Sequence, residues 1–558
     1  MQYLLIRSSA SLLLAATLAA QTPPDAGALS RRIEDERAKA PEPRQAKPLE
    51  APAPLRPPAG LSVTVRAFRF AGNKLLDADT LAAATAPFLN RTLDFAQLQA
   101  AAAAVAARYR QAGWIVRSYL PAQEIRDGIV TLQIVEARFG HARAEGEPQR
   151  LPAARALAYV NAQQRAGQAL SAAALERAVL LVDDLPGITA TGALEAGHSD
   201  GETDLVLKLA DEALLTGDVT LDNTGSRSTG AARAVASLRL NSPARIGDRL
   251  QLNALATQGS GYARVEYSLP LGLDGLRVGA NAGAMNYHLV GADFAALDAR
   301  GTARSAGLSA SWPILRGRET SIYLAANADT HRYDNTSGGA TTSHYGTRTL
   351  AASVYARRFD AAGSSFASLA WTAGVADLDG SPNQPGDAAT TRVAGRYDRL
   401  NASIARQQRL RSDLMLFGQF SGQWADRNLD SSEKFYLGGI DGVRAYPANE
   451  AGGASGALLK LELRWRARPE LSVGPFVDYG HVEVDHHNGY PGASAPNRYH
   501  LAGAGLSAAW TSTTGLVLNA TWAHRIGSNA GATATGRDQD GSLVRNRLWL
   551  VATLPFAH

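Results

Sequence analysis

The 558-residue sequence predicts a composite fold: two small α+β modules followed by an antiparallel β-barrel that crosses a membrane. Three observations carry this. Helical periodicity is confined to roughly the first 211 residues, and beyond them apolar and polar positions alternate with period two. The alternation sets Arg, Glu and Lys against Leu, Val and aromatic residues, which is inverted for a water-soluble protein and fits lipid outside and a wet lumen inside. Composition changes at the same place: 41 of the 53 glycines and 7 of the 8 tryptophans lie after residue 211, where only Lys434 and Lys460 remain of the lysines.

The totals narrow the function classes. With no cysteine there is neither a disulfide scaffold nor a Cys-ligated zinc or iron–sulfur site. A net charge of +5 on 56 basic and 51 acidic side chains is no polycationic arm, so no nucleic-acid partner is expected.

Residues 1–20 read as a secretory signal, with Arg7 before an apolar run over 11–20 and cleavage near Ala19 or Ala20. That run is too short to span a membrane, and no later stretch is long enough for a helical span. Residues 21–61 hold nine prolines and one helix candidate over 25–39. Its face carries only Leu29 and Ile33, too little for an ordinary core, so a solvated tail is the alternative. The proline-rich segment 41–58 is expected to be extended.

Residues 62–138 begin with an alternating strand over 63–70 and a turn at Gly72-Asn73. Asp94 offers an N-cap with Gln97 three residues on; Leu98, Ala101, Val105, Tyr109 and Ala112 share one helix face, and Gly113 ends it. Strands over 114–120 and 129–137 follow, joined through Asp127-Gly128. Residues 139–211 repeat the order, with a strand over 140–144, helices over 151–160 and 172–183, and strands over 188–194 and 203–209. Ser171 caps the second helix and Pro186-Gly187 ends it. Two βααββ modules are the reading.

Residues 212–558 contain about 16 alternating segments. Val265, Tyr267 and Leu269 alternate with Arg264, Glu266 and Ser268; Leu459, Leu461, Leu463 and Trp465 alternate with Lys460, Glu462 and Arg464. Short connections (242–245, 313–318, 466–470) exchange with long polar ones (331–345, 377–391, 526–543), the pattern of bacterial outer-membrane barrels with short periplasmic turns. Leu548, Leu550, Leu554 and Phe556 share a face of the last segment. Sandwich cores do not alternate apolar residues with arginine in this way.

Signals for catalysis are poor. There is no H-E-x-x-H, G-x-S-x-G or P-loop pattern, so no enzyme, catalytic residue, metal or cofactor is expected. His481, Glu483, Asp485, His486 and His487 invite a metal but read as a solvated loop, and Asp183-Asp184 reads as a helix end.

The connection before Leu458 reads Phe435-Tyr-Leu-Gly-Gly-Ile-Asp-Gly-Val-Arg-Ala-Tyr-Pro447. It resembles the G-G-x-x-x-V-R-G-[YF] loop of the two-partner secretion transporters (TpsB, hemolysin activation/secretion proteins), within the superfamily of POTRA-plus-barrel outer-membrane proteins. Val443, Arg444 and Tyr446 match it, and Ala445 stands where the family has glycine. Gly113, Pro121, Gln123, Gly128 and Glu136 resemble the first POTRA signature, while Leu185-Pro186-Gly187, Leu194, Gly197 and Asp204 resemble the second. The stretch from Leu221-Asp222-Asn223 to Gly230 is similar to the first barrel hairpin, and Phe476, Asp478 and Gly480 to the F-x-D-x-G of the thirteenth strand.

The resemblance implies two POTRA modules, a 16-stranded transmembrane barrel and a plug helix threaded through it. If Val477 and Tyr479 face lipid, Asp478 faces the lumen, where the resemblance pairs it with Arg444 on an inward-folded loop. It further implies a monomer in the outer membrane lipid of a Gram-negative cell, with its modules in the periplasm, capturing an unfolded secreted exoprotein (TpsA-like) and passing it through the barrel. A barrel-assembly insertase and a passive porin are the other functions considered.

Overall fold

A computed structural model of the chain describes residues 24–37, 62–199 and 201–558. The expected signal (1–20) and proline-rich segment (41–58) lie outside them. Helix α1 (Ala26–Arg37) falls within the span expected for it.

Two consecutive α+β units precede the barrel. The first comprises β1 (Ser62–Val65), β2 (Ala67–Ala71), α2 (Ala78–Thr85), β3 (Arg91–Asp94), α3 (Phe95–Gln111), β4 (Val116–Tyr119) and β5 (Ile129–Glu136). Here the reading of 63–70 as one strand is corrected. Val65 pairs across to Arg91, whereas Ala67 pairs in parallel with Ile129, so the chain changes sheets at Arg66. The reason lies in the partner: the carbonyl of Gly128 accepts the Arg66 amide at 2.8 Å and takes that residue out of either ladder. Helix α2, capped by Asp77 on the Thr80 amide, is the other helix that the βααββ order calls for in the first module; its alanine-rich run has too little periodicity to mark its bounds. On α3 the expected capping box is present, and Leu98, Ala101, Val105 and Tyr109 are buried; Ala112 caps the helix and is exposed.

The second unit has β6 (Arg138–Glu145), α4 (Ala153–Gln163), α5 (Ala172–Asp183), β7 (Ile188–Ala196) and β8 (Glu202–Asp211), with sheet order β6-β8-β7. Phe139, Leu151, Tyr159, Leu170, Leu175 and Ile188 fill its core without solvent exposure. Each such side chain contributes about 1.5–3 kcal/mol of burial, enough to hold a sheet this small. The units are joined by backbone as well as by the chain: Ile115 donates to the Leu170 carbonyl (3.1 Å), Leu170 to Ala137 (2.8 Å) and Ala172 to Gly113 (2.9 Å).

Sixteen antiparallel strands then close a barrel, the last (Asn546–Ala557) pairing with the first (Leu215–Asp222) from Val551↔Asp222 to Ala557↔Thr216. Closure leaves no open sheet edge in lipid. The outer face carries the apolar set, among them Leu308, Leu324, Leu350, Ile404, Leu459, Leu461 and Leu550. Trp312 and Trp465 hydrogen-bond Asp274 and Asp413 in the turns on the module side (3.0 and 3.1 Å), forming part of an interfacial girdle.

The expected long connection over 331–345 is not one. Strand seven (Thr320–Ser337) and strand eight (Ala340–Asp360) run straight through it and meet at a two-residue turn, Gly338-Gly339, with φ of 55° and 80°. Two positive φ values match the twist of a tight hairpin, and glycine adopts both without strain. The polar residues that suggested a loop are lumen-facing strand residues: His331, Asn335 and Ser343 are buried.

Helix α5 seats the second unit on the barrel. Arg316, 3% exposed, donates from Nε and Nη2 to both Asp184 oxygens at 2.7 and 2.8 Å. Arg177 reaches Asp274 and the Pro313 carbonyl, both at 2.9 Å, and the Arg318 amide donates to Glu176. The Asp183-Asp184 helix end is thus also a dock, with Asp183 accepting the Ala190 amide.

Candidate functional site

The lumen is filled by two segments of the chain itself. The first is α1. Its N-terminal turn is apolar and small; Ala26, Ala28 and Leu29 are buried, Ala26 and Leu29 in a layer with Tyr262, Tyr287, Tyr333, Tyr345 and Tyr397 from the wall. Gly27 lies so close that a Cβ there would come within 2.5 Å of the Tyr345 hydroxyl. The rest of the helix is held by charge. Glu36 accepts from Arg233 (2.7 Å), which is also bound to Asp222 (2.8 Å). Glu34 meets His331 at 3.3 Å and Arg264 at 3.8 Å, and Arg37 meets Glu266 at 3.2 Å. Two apolar positions did not suffice for a core in the sequence; a wet lumen supplies the missing partners as ions.

The second segment is the connection over 426–454, which folds back into the barrel. Arg444 is its centre, 5% exposed. It donates from Nε and Nη2 to the two oxygens of Asp478, both at 2.8 Å, and its own amide adds a third bond at 3.1 Å. Nη1 donates to Glu462 at 2.7 Å, and the guanidinium lies 3.4 Å from the centre of the Phe476 ring. One face and the in-plane nitrogens of the fork are thereby engaged, the arrangement in which a desolvated ion pair is held by geometry as well as by charge.

Val443 donates to the Leu437 carbonyl at 2.7 Å and turns the loop tip. Tyr446 has no solvent exposure and lies under the Arg525 guanidinium, 4.3 Å away. Gly480 gives Leu437 its seat: a Cβ there would stand 2.6 Å from Leu437 Cδ2. Ala445 fits because the wall residue beneath it is Gly503, whose Cβ, if present, would lie 2.6 Å from that of Ala445. The outer face of strand thirteen (Leu471–Glu483) presents Val477 and Tyr479, both more than two-fifths exposed, so Asp478 points inward.

Two partners in this cluster were not singled out from the sequence. Glu462, on strand twelve (Ser455–Arg468), was legible only as the polar member of Leu461-Glu462-Leu463. Trp549 donates from Nε1 to the Arg444 carbonyl at 2.8 Å and has no signal apart from facing inward between Leu548 and Leu550.

The five residues of the first module's signature lie elsewhere and hold the first unit's shape. Gly113 takes φ of +88° at the end of α3 and presents its carbonyl to Ala172. The Gln123 amide acts as a piece of strand, accepting from the Thr131 amide (2.7 Å) and donating to its carbonyl (2.8 Å), while the Pro121 carbonyl accepts a weaker bond from the same amide. Gly128 has φ of +71° and passes 2.7 Å, measured from a built Cβ, from the Thr64 carbonyl. Glu136 gathers the Lys74 and Leu75 amides and the Tyr109 hydroxyl at 2.7–2.8 Å. Burial, and the Glu136 carboxylate after it, raise the Tyr109 phenol above its ordinary range.

The residues weighed as a metal set diverge. His481 faces outward, Glu483 is bound by Arg498 (2.6 Å), and Asp485, only 3% exposed and so not in a solvated loop, is bound by Tyr490 (2.6 Å). Among the described residues no group of three or more such side chains is placed to hold an ion.

Residues 201–509 match the family model of the haemolysin secretion/activation protein ShlB/FhaC/HecB, and residues 63–137 match the ShlB-type POTRA domain. The heme/hemopexin transporter protein HuxB of Haemophilus influenzae is 24% identical over 91% of this chain and 93% of its own length. The outer membrane transporter CdiB of Dickeya dadantii is 24% identical over 78% of each chain. The structure of CdiB from Escherichia coli superposes with a TM-score of 0.70 at 19% identity, covering 96% of this chain and 100% of that one.

Proposed function

The chain belongs to the haemolysin secretion/activation family of ShlB, FhaC and HecB, and we propose how it works as an outer-membrane translocator that exports a partner exoprotein by two-partner secretion. The two units before the barrel stand in the periplasm and capture the unfolded partner by strand addition to a sheet edge, where main-chain hydrogen bonds supply affinity without demanding one sequence. β4 in the first unit and β7 in the second are edge strands for this purpose. The partner then displaces α1 and crosses the barrel past inward arginines such as Arg233, Arg264 and Arg399 to fold outside. Every step is an exchange of non-covalent contacts.

The polar attachment of α1 supports this reading most. A helix fixed by a core would be a permanent part of the wall, whereas ion pairs in a hydrated lumen exchange readily for water and salt. The Arg444–Asp478 pairing has the opposite character, buried and bidentate, and serves as the fixed point against which the loop holds the conduit open. The chain acts as a monomer, one barrel enclosing one path.

Deletion of residues 62–211 tests the capture step. Secretion of the partner is expected to stop while the barrel still inserts and shifts on heating in gel electrophoresis. Undiminished export by that deletion would sink it.

A further inference from the structure

The outer surface of the barrel carries a feature that translocation does not use. On strands six (Arg300–Arg316) to ten (Gly395–Arg409) the lipid-facing belt of Leu308, Leu324, Leu350, Leu369, Trp371 and Leu400 ends, on the side away from the periplasmic modules, at four outward arginines: Arg304, Arg332, Arg348 and Arg396. All four are exposed. Arg304 and Arg332 are direct cross-strand partners, which places their Cβ atoms about 5 Å apart. Arg348 sits opposite Thr330, diagonal to Arg332, and Arg396 shares the partner Val375 with Arg348.

Like charges directly opposite one another on a sheet are destabilising, and among the described residues no carboxylate forms an ion pair with these. None of the four guanidinium groups makes an ion pair or side-chain hydrogen bond with the described residues. The nearby acids are already engaged: Asp334 with His344 and Thr302, Asp377 with the Asp379 amide, and Asp398 with Trp371 Nε1. The other half of the rim differs. There the outward positions hold His288, His481, His500, His524 and Asn546, and Arg498 is neutralised by Glu483.

We propose that this arginine cluster is a binding site for the phosphorylated glycolipid of the outer leaflet, lipid A, with its phosphates bridging Arg304, Arg332 and Arg348 and its acyl chains lying on the leucine belt below. Charge complementarity and level select the occupant. The cluster stands where the belt meets the extracellular side, because the opposite ends of the same strands touch Asp184 and Glu176 of the periplasmic module. Phosphate groups presented there take the bidentate bonds that the planar guanidinium makes best. Four strand spacings of about 4.8 Å give the cluster a width of roughly 20 Å, room for a headgroup carrying two phosphates. The site orients the barrel laterally in an asymmetric leaflet and is independent of the cargo path.

The test uses the full mature chain in detergent and reads lipid adducts by native mass spectrometry. The probes are bisphosphoryl lipid A, the same lipid stripped of phosphate, and phosphatidylglycerol. The wild type is expected to bind bisphosphoryl lipid A in preference to both others. The triple variant Arg304→Ala, Arg332→Ala, Arg348→Ala is expected to bind it roughly 100-fold more weakly, about a factor of five per arginine near an anionic surface. Arg545→Ala, on the far rim, is expected to bind as the wild type does. Heat-modifiability checks that the variants are folded. If the triple variant does not fold, Arg332→Ala alone is expected to lose about five-fold, and the three lysine replacements to recover part of the binding. Unchanged binding in the arginine variants overturns the proposal, as does equal binding of dephosphorylated lipid A or phosphatidylglycerol.

Discussion

At Arg444 a single side chain meets two carboxylates, one ring and, through its carbonyl, an indole. Removing it leaves Asp478, with no solvent exposure, as an uncompensated buried charge, and leaves Glu462 to Arg464 at 2.8 Å. Arg444→Ala is therefore expected to cost about 3–5 kcal/mol in loop docking. Secretion of the partner should fall while the barrel remains in the outer membrane; normal secretion by this variant means the loop–wall pairing has no role in export. Trp549→Phe removes the bond to the Arg444 carbonyl, about 1 kcal/mol, together with part of a buried ring, and partial loss of secretion is the expected outcome. Gly503→Ala is expected to be worse than its size suggests, because its Cβ would be 2.6 Å from that of Ala445. The pair Gly503→Ala with Ala445→Gly should restore secretion, a compensation that a general stability defect does not produce. Val443, Arg444, Phe476 and Asp478 were legible as a set because loop and strand each carry a motif. Glu462 and Trp549 were not, since only the barrel's register brings strands twelve and sixteen to the same loop.

Among the elements, α1 and its surroundings separate local from tertiary causes. The ion pairs that tie it to the wall have helix-side members 22–27% exposed, open enough to respond to salt. Glu34→Gln together with Glu36→Gln removes the helix's charges facing His331, Arg264 and Arg233, and leaves Arg233 to Asp222 alone. In planar lipid bilayers this variant is expected to spend more time in a high-conductance state than the wild type, and the difference should narrow in 1 M salt, where the Debye length falls to about 3 Å. Equal open times would show that the tyrosine layer, not charge, retains the helix. The two strands that meet at Gly338-Gly339 make the complementary point. Their polar lumen faces imitate a loop in the sequence, and only the tyrosine layer and α1 inside the barrel explain why strand continues there.

For the molecule as a whole, the question is how periplasmic capture is coupled to the pore. Module and barrel share a half-buried bidentate pair, Asp184–Arg316, and the two modules share main-chain bonds around Gly113, Leu170 and Ala172. Asp184→Asn is expected to loosen this seat. Amide exchange in α5 and in the turn at residues 317–319 should rise while exchange in the barrel strands stays slow. Unaltered exchange at α5 would leave the remaining contacts of Arg177 and Glu176 as the whole dock.

The sequence by itself determined the division into modules and barrel, the strand count and the sense of the wall, because period-two alternation and the shift in glycine and lysine usage are local properties that survive without knowledge of partners. It also marked the loop arginine and the wall aspartate, through a resemblance carried by contiguous motifs. The tertiary structure decided what neighbours across the closed sheet: that the charged helix lies inside the lumen, that Glu462 and Trp549 complete the Arg444 cluster, that Asp184 is a dock, and that four arginines from four strands meet on one patch of outer wall. Those facts depend on the register of one strand against the next and on barrel closure, long-range quantities that no window of sequence contains.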